Sequence, residues 1–279
     1  MKTLILALLL SLPCADLLMA ATLDRVRETG VLRLGFRDDA KPYSYRNANG
    51  QPAGYIVDLC REVTEQLGAA MGAAVRPQYV PVPSAARFEA LRQGKIDILC
   101  DPASVTMERR TTVDFSIPTF LDGTSVLYRS DRPIQTFEEL AGRRVGVLKG
   151  TTTADNLYNG MRLVKVEAKV TQVTDHHQGL DLLMADKIDA YFGDRAILAS
   201  LLYEGGLPGL ELGRRYFSYE TYALGLPHGD DAFRLQVDRA LAELYRSGKV
   251  RALLAKTFGT PPHDAMLDAL IAIHSFPER

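Results

Sequence analysis

Short apolar runs alternate along this chain with stretches whose apolar residues recur every three or four positions. Val31–Gly35 reads as a first strand. Ile56, Leu59, Val63 and Leu67 follow at helical spacing, with Gly68 as the expected stop. Tyr79–Val82 predicts a second strand, Arg87–Gln93 a second helix and Ile96–Cys100 a third strand. Strand, helix, strand in that order marks parallel βαβ units. The pattern then restarts. Arg144–Leu148 reads as a strand, Gly150 and three threonines lead into a helix, Gly179–Ala185 is helical, and Ile188–Phe192 is again a strand.

An internal echo links the two blocks. Ala90-Leu-Arg-Gln-Gly-Lys-Ile-Asp-Ile-Leu resembles Leu182-Leu-Met-Ala-Asp-Lys-Ile-Asp-Ala-Tyr, which favours two similar α/β lobes over one large sheet. Thr124–Arg129 and Thr221–Leu226 are strand-like and bracket the second block. They are expected as two hinge strands. The first lobe would then be discontinuous (22–123 and 222–279, completed by a helix over Ala232–Ser247), and 124–221 would form the second. Doubly wound sheets bind at the carboxyl ends of their strands, so a site is expected in the cleft between lobes.

At 279 residues and 47% hydrophobic, the chain is long enough for two cores. Its 33 basic and 34 acidic residues leave a net charge of −1, so no overall field draws nucleic acid or anionic membrane. Residues 1–21 read as a cleaved signal peptide: Lys2, an apolar run from Leu4 to Leu12, then small Ala20 and Ala21. The run is shorter than the ~20 apolar residues of a membrane span, and no later segment reaches that length. Cys14 follows Pro13, a poor fit to lipid-anchor processing. A secreted, periplasmic protein is therefore expected. In an oxidising compartment Cys60 and Cys100 form either a disulfide or two buried thiols, and spacing does not choose. No cofactor or metal is expected, since adjacent His176 and His177 point apart on any regular element.

Two expected helix starts carry the most telling chemistry. Ser84 and Thr106 suit N-caps, and three residues further on stand Arg87 and Arg109, where an acid would complement the helix dipole. Either these arginines bind an anion together with free N–H groups, or each reaches a surface carboxylate such as Glu89 or Glu108. Arg37 follows the first strand, at a ligand-facing or merely exposed position. Gly150 with Thr151, Thr152 and Thr153 opens a helix, either as an ordinary cap or as donors for a carboxylate. Asp194 ends a strand and suits an ammonium. Tyr43 and Tyr45 supply an apolar wall or pack on their own loop. Together these groups suit a zwitterion with an extra negative charge.

The ordered motifs resemble the family-3 extracellular solute-binding proteins of amino-acid ABC transporters, over nearly the whole chain beyond the signal. They are Leu32-Arg-Leu-Gly-Phe-Arg-Asp-Asp-Ala-Lys-Pro-Tyr-Ser-Tyr, Gly54-Tyr-Ile-Val-Asp-Leu-Cys, Val105-Thr-Met-Glu-Arg-Arg-Thr-Thr-Val-Asp-Phe-Ser, Arg144-Val-Gly-Val-Leu-Lys-Gly-Thr-Thr-Thr and Tyr219-Glu-Thr-Tyr-Ala-Leu. The resemblance implies a type II two-lobed periplasmic-binding-protein fold. It implies a monomer that closes on an amino acid and delivers it to the membrane permease of an ABC importer, without turnover. Arg109 would clamp the α-carboxylate, Gly150–Thr152 would help from the other lobe, Ser104 would add a hydroxyl, and Asp194 would take the α-ammonium. Within the family the chain is most similar to the glutamate/aspartate binders. There Arg37, Ser84 with Arg87, and His176 of Asp175-His176 would hold the side-chain carboxylate. Pro102 departs from that pattern, standing where acidic amino-acid binders can use a serine. One rival is a dehydratase of prephenate-like acids on the same scaffold, with His176 and Glu220 as acid–base candidates. Another is a soluble sensor for a membrane partner.

Overall fold

The computed structural model describes residues 22–259 and 265–278; the expected signal peptide, with Cys14, lies outside them. The helix α1 (Thr22–Thr29) leads into β1 (Val31–Phe36) and a small ribbon of β2 (Asp39–Ala40), β3 (Ser44–Arg46) and β4 (Pro52–Ala53). Then come α2 (Tyr55–Met71), β5 (Arg76–Pro81), α3 (Arg87–Arg92), β6 (Ile98–Cys100) and the long β7 (Val113–Asp122). A second unit runs through β8 (Thr124–Arg129), β9 (Arg144–Leu148), α4 (Thr152–Leu163), β10 (Lys169–Val173), α5 (His176–Met184), β11 (Ala190–Asp194), α6 (Arg195–Gly205) and β12 (Leu210–Leu212). The chain returns through β13 (Glu220–Pro227) to α7 (Asp231–Arg246), α8 (Lys249–Phe258) and α9 (Ala265–His274).

Two five-stranded sheets result, ordered β5-β1-β6-β13-β7 and β10-β9-β11-β8-β12. In each, three parallel strands carry the βαβ units. The crossing strands join antiparallel, β13 against β6 and β7, and β8 against β11 and β12. Each sheet has its own core. Leu32 and Leu34 of β1 pack with Ile56, Leu59, Val63 and Leu67 of α2, a single stripe at helical spacing. Burying each such side chain contributes roughly 1.5–3 kcal/mol before entropy is counted. Val145, Val147, Leu157 and Phe192 do the same in the second lobe. Among the described residues no helix is long and apolar enough to cross a membrane.

The repeated Lys-Ile-Asp has a structural cause. Asp97 accepts the backbone N–H of Arg33 at 2.7 Å and its Nη2 at 2.6 Å. Asp189 does the same for Arg144, at 2.8 and 2.6 Å. The preceding isoleucines fill the space left by Gly35 and Gly146, where an added Cβ would collide with Ile96 Cδ1 and Ile188 Cδ1. Each lobe thus clasps the start of its first parallel strand in the same way. With Asp97 occupied by this clasp, β6 starts at Ile98, two residues later than the pattern predicts.

The helix α2 does not stop at Gly68. It runs to Met71, and Gly72 caps it in the left-handed region at φ 62°, which glycine reaches without a Cβ penalty. Gly68 instead allows a close approach, because a Cβ there would lie 2.9 Å from the Ala73 carbonyl.

Of the two alternatives for Cys60 and Cys100, the structure has the disulfide, tying α2 to β6 with Cα atoms 6.2 Å apart. The bond spans 40 residues of sequence, and loop entropy for that length corresponds to about 4 kcal/mol. Replacing both cysteines by alanine is expected to lower unfolding stability in urea by an amount of that order. A midpoint unmoved by reduction would contradict the bond.

Candidate functional site

The strands β1, β6, β9 and β11 end at one gap between the sheets. Arg37 after β1, Pro102 and Ser104 after β6, Thr151–Thr153 after β9 and Asp194 at the end of β11 line a single cavity there, with Arg87 of α3 and His176 of α5. The walls leave about 10 Å³, the room of roughly one water. An amino acid enters only when the lobes part. The chain crosses between lobes at Gly123 and at 218–219. There the Thr124 N–H donates to Ser218 Oγ at 3.2 Å, and any Cβ on Gly123 would collide with the Ser218 carbonyl.

Arg37 and Arg87 are each only 3% exposed, and each has a resident carboxylate. Arg37 Nε and Nη2 donate to Asp39 Oδ1 at 2.9 and 2.6 Å. Arg87 Nε lies 3.1 Å from Asp101 Oδ2, while Nη1 donates to Ser84 Oγ at 2.7 Å and to the Ser84 carbonyl. Asp101 is fully buried and, among the described residues, accepts no hydrogen bond at either carboxylate oxygen, so Arg87 is its compensation. Burial pushes Arg87 down to about 10, with Asp101 opposing and Arg109 and Arg37 adding to the fall. Burial also acts to lower Arg37, but Asp39 and Asp101 outweigh it and the pKa rises. Among the described residues, Nη1 of Arg37 and Nη2 of Arg87 make no hydrogen bond.

The facing wall is acidic. Thr153 Oγ1 donates to Asp194 Oδ1 at 3.1 Å. Burial, then the charges of Glu220 and Asp122, raise Asp194 to about 8. Burial raises Asp122 to about 6. Glu220 accepts from Asn156 Nδ2 at 2.9 Å, from Ser218 Oγ at 3.0 Å and from the hydroxyls of Ser104 and Thr152. Ser104 Oγ and Thr152 Oγ1 are themselves 3.0 Å apart across the cleft. Glu220 is therefore saturated, whereas Asp194 is poised to gain from a cation.

His176 is buried beside this wall, with Nδ1 2.9 Å from the Tyr191 hydroxyl and Nε2 without a partner among the described residues. Burial, then Arg37, pushes it down to about 3, so the ring is neutral at physiological pH. A neutral imidazole can donate or accept one hydrogen bond at Nε2.

Seven of the expected site residues thus line one cavity: Arg37, Arg87, Ser104, Thr151, Thr152, His176 and Asp194. The others sit elsewhere. Tyr45 faces outward, with Lys41 Nζ 5.0 Å from its ring centre, because alternation along β3 turns Ser44 inward to accept the Arg37 N–H. Tyr43 is core, its hydroxyl donating to Asp122 at 2.8 Å. Ser84 does not cap a helix but holds Arg87, which opens α3 instead of standing third in it. Thr106 accepts the Arg109 N–H at 3.1 Å but caps no helix, since only one 3₁₀ turn (Arg109–Thr111), entered through Glu108, follows before β7. Arg109 stands one layer back from the cavity, Nη1 donating to the Ser104 carbonyl at 2.8 Å and its guanidinium 4.8 Å from the Phe88 ring centre. Thr151 is committed as the cap of α4, accepting the Ala154 N–H at 3.2 Å. Pattern reading overlooked Asp39 and Asp101, whereas Thr153, one of the three threonines expected as donors, gives its hydroxyl to Asp194. Asp101 directly follows β6, a position doubly wound sheets often use, but a strand-end acid is not by itself distinguishable from a solvated one.

A charged cavity at facing strand ends, reached only by parting two lobes, defines a protein that clasps a small molecule. Residues 32–260 match the family model of bacterial extracellular solute-binding proteins, family 3. The chain is 31% identical to the L-glutamate/L-aspartate-binding protein of Pseudomonas aeruginosa, over 94% of this chain and 87% of that one. It is 26% identical to the glutamate/aspartate import solute-binding protein of Salmonella typhimurium, over 86% and 80%. An ancestral amino acid-binding protein, a precursor of cyclohexadienyl dehydratase, superposes with a TM-score of 0.76 at 26% identity, covering 85% of this chain and 99% of that one. The chain belongs to the family-3 solute-binding proteins, which bind small amino-acid ligands and work with a membrane permease. These curated relatives are binding proteins and not enzymes, which sets the dehydratase aside.

Proposed function

We propose that this protein captures glutamate or aspartate in the periplasm and presents it, as a monomer, to the permease of an ABC importer. One observation carries the proposal: two buried guanidiniums with free Nη groups face a raised-pKa carboxylate across a single cavity. The ligand's side-chain carboxylate meets Arg37 and Arg87, with His176 Nε2 beside them. Its ammonium meets Asp194. Its α-carboxylate meets Ser104 and the opening turn of α4, and Arg109 reaches it by exchanging the Ser104 carbonyl. Each hydrogen bond to a charged group contributes roughly 1.5–3 kcal/mol, so a few offset the ordering cost. The 124–221 lobe closes over the 22–123 and 222–279 lobe by flexing at the two crossings.

A second ligand class is favoured by the resident carboxylates. Asp39 and Asp101 already balance Arg37 and Arg87, so a side-chain amide such as that of glutamine competes for the same Nη groups. A thermal-shift panel of amino acids separates the two, since a tight ligand raises the melting temperature by mass action. Glutamate and aspartate are expected to give the largest shifts. A panel led by glutamine and asparagine, or by basic amino acids, would overturn the acidic ligand.

A further inference from the structure

Asp39 belongs to the first lobe, yet its second oxygen reaches the other one. Oδ2 accepts the backbone N–H of His176 at 3.0 Å. His176 is the first residue of α5, a nine-residue helix capped by Asp175, whose side chain accepts the Gln178 N–H at 2.9 Å. The His176 N–H is one of the amides a helix leaves without an internal partner, and the positive end of the helix dipole lies there. Oδ1 of the same carboxylate takes both bonds from Arg37. Burial opposes ionisation, but Arg37 and His176 together hold the Asp39 pKa below its usual value. Another cross-lobe contact, the ion pair of Lys41 with Glu204 at 2.6 Å, lies at the surface with side chains 40% and 52% exposed. Exposed pairs of that kind contribute little, and this one touches no cavity group.

We propose that Asp39 is a positioning residue that couples side-chain recognition to lobe closure. Parting the lobes breaks the bond to the His176 N–H and leaves the Asp39 carboxylate anchored by Arg37 alone, through Oδ1. Closing them recruits α5 and completes the carboxylate's hydrogen bonds. Arg37 is thereby held in its ligand-facing pose most firmly in the closed form. The inference rests on the preceding section only in that the cleft takes an amino acid.

The backbone donor can be deleted by itself. Proline lacks the N–H and is favoured at the first helical position. Asp175, at φ −149° and ψ 166°, already has the extended backbone that a residue before proline adopts. His176→Pro and His176→Ala both remove the imidazole, but only His176→Pro removes the N–H. His176→Pro is expected to bind glutamate about 10-fold or more weakly than His176→Ala, the effect of one hydrogen bond to a charged group. Most of that loss should appear as faster release. The ligand-induced contraction in small-angle scattering should also be smaller, which a role confined to steadying Arg37 would not produce. In an Asp39→Ala background the difference between the two variants should vanish. Equal affinity and equal contraction for the two variants would overturn the coupling. Both readouts compare variants under one ligand. A protein that prefers a different amino acid therefore defeats the glutamate assignment and leaves this comparison decisive with that amino acid.

Discussion

Arg87→Met is expected to abolish amino-acid capture and to destabilise the fold by about 3–5 kcal/mol, the usual cost of stranding a buried charge. The Asp101 carboxylate is buried and, among the described residues, accepts no hydrogen bond, and Arg87 Nε is its counter-charge at 3.1 Å. Without the guanidinium, Asp101 must either remain ionised in a low-dielectric site or take up a proton, and both routes cost free energy. The double variant Arg87→Met with Asp101→Leu removes both charges and refills the volume with apolar groups. Buried ion pairs replaced in this way are often neutral or even stabilising, so most of the lost stability should return. Binding should not, because Nη2 of Arg87 remains missing. Urea denaturation and titration calorimetry on the two variants check both halves. A single variant as stable as wild type would show that Arg87 does not compensate Asp101, and a double variant that binds normally would show that Arg87 does not touch ligand.

The second large effect is expected at Asp194. Asp194→Asn keeps the size but loses the charge that meets the ammonium, and amino-acid affinity should fall by about 100-fold or more, as for a buried charge-assisted contact. Its pH signature has a definite sign. In the folded protein Asp194 titrates at about 8 against an ordinary 3.8. Between those values the folded state keeps a proton that the unfolded chain has lost, so this group makes wild-type stability decline as pH rises from about 4 through 8. The amide of the Asp194→Asn variant does not titrate, and the variant's stability relative to wild type should climb across the same window. The ammonium of a ligand also favours the ionised carboxylate. Glutamate binding near pH 7 should therefore release a proton, approaching about one per ligand, and this release should fade above about pH 9. Calorimetry in buffers of different ionisation enthalpy measures it. Proton uptake on binding, or none at pH 7, would place the ammonium elsewhere.

Much of the architecture was legible because burial imposes a period. The α2 stripe from Ile56 to Leu67 and the apolar runs of β1 and β9 are packing patterns, and packing is what forms them. The strand-like runs at Thr124–Arg129 and Thr221–Leu226 are strands, within β8 and β13. Ends were less legible. Gly68 serves as a close-approach position instead of a stop, and Ser84 serves a guanidinium instead of a helix end. In the site, strand-end position picked out Arg37, Ser104, Thr152 and Asp194 because α/β topology sends such residues to the cleft. Tyr45 was misplaced by one step of strand alternation. The pairings of Arg87 with Asp101, and of Asp39 with the His176 N–H, join separate elements, and no spacing rule announces them.

The most direct test is a crystal structure of the protein saturated with L-glutamate. The side-chain carboxylate is expected within hydrogen-bond distance of Arg37 Nη1 and Arg87 Nη2, with the ammonium on Asp194 and Asp39 still bonded to the His176 N–H. A glutamate bound the other way round, with its ammonium beside the guanidiniums, or bound outside this cavity, would contradict the proposed capture.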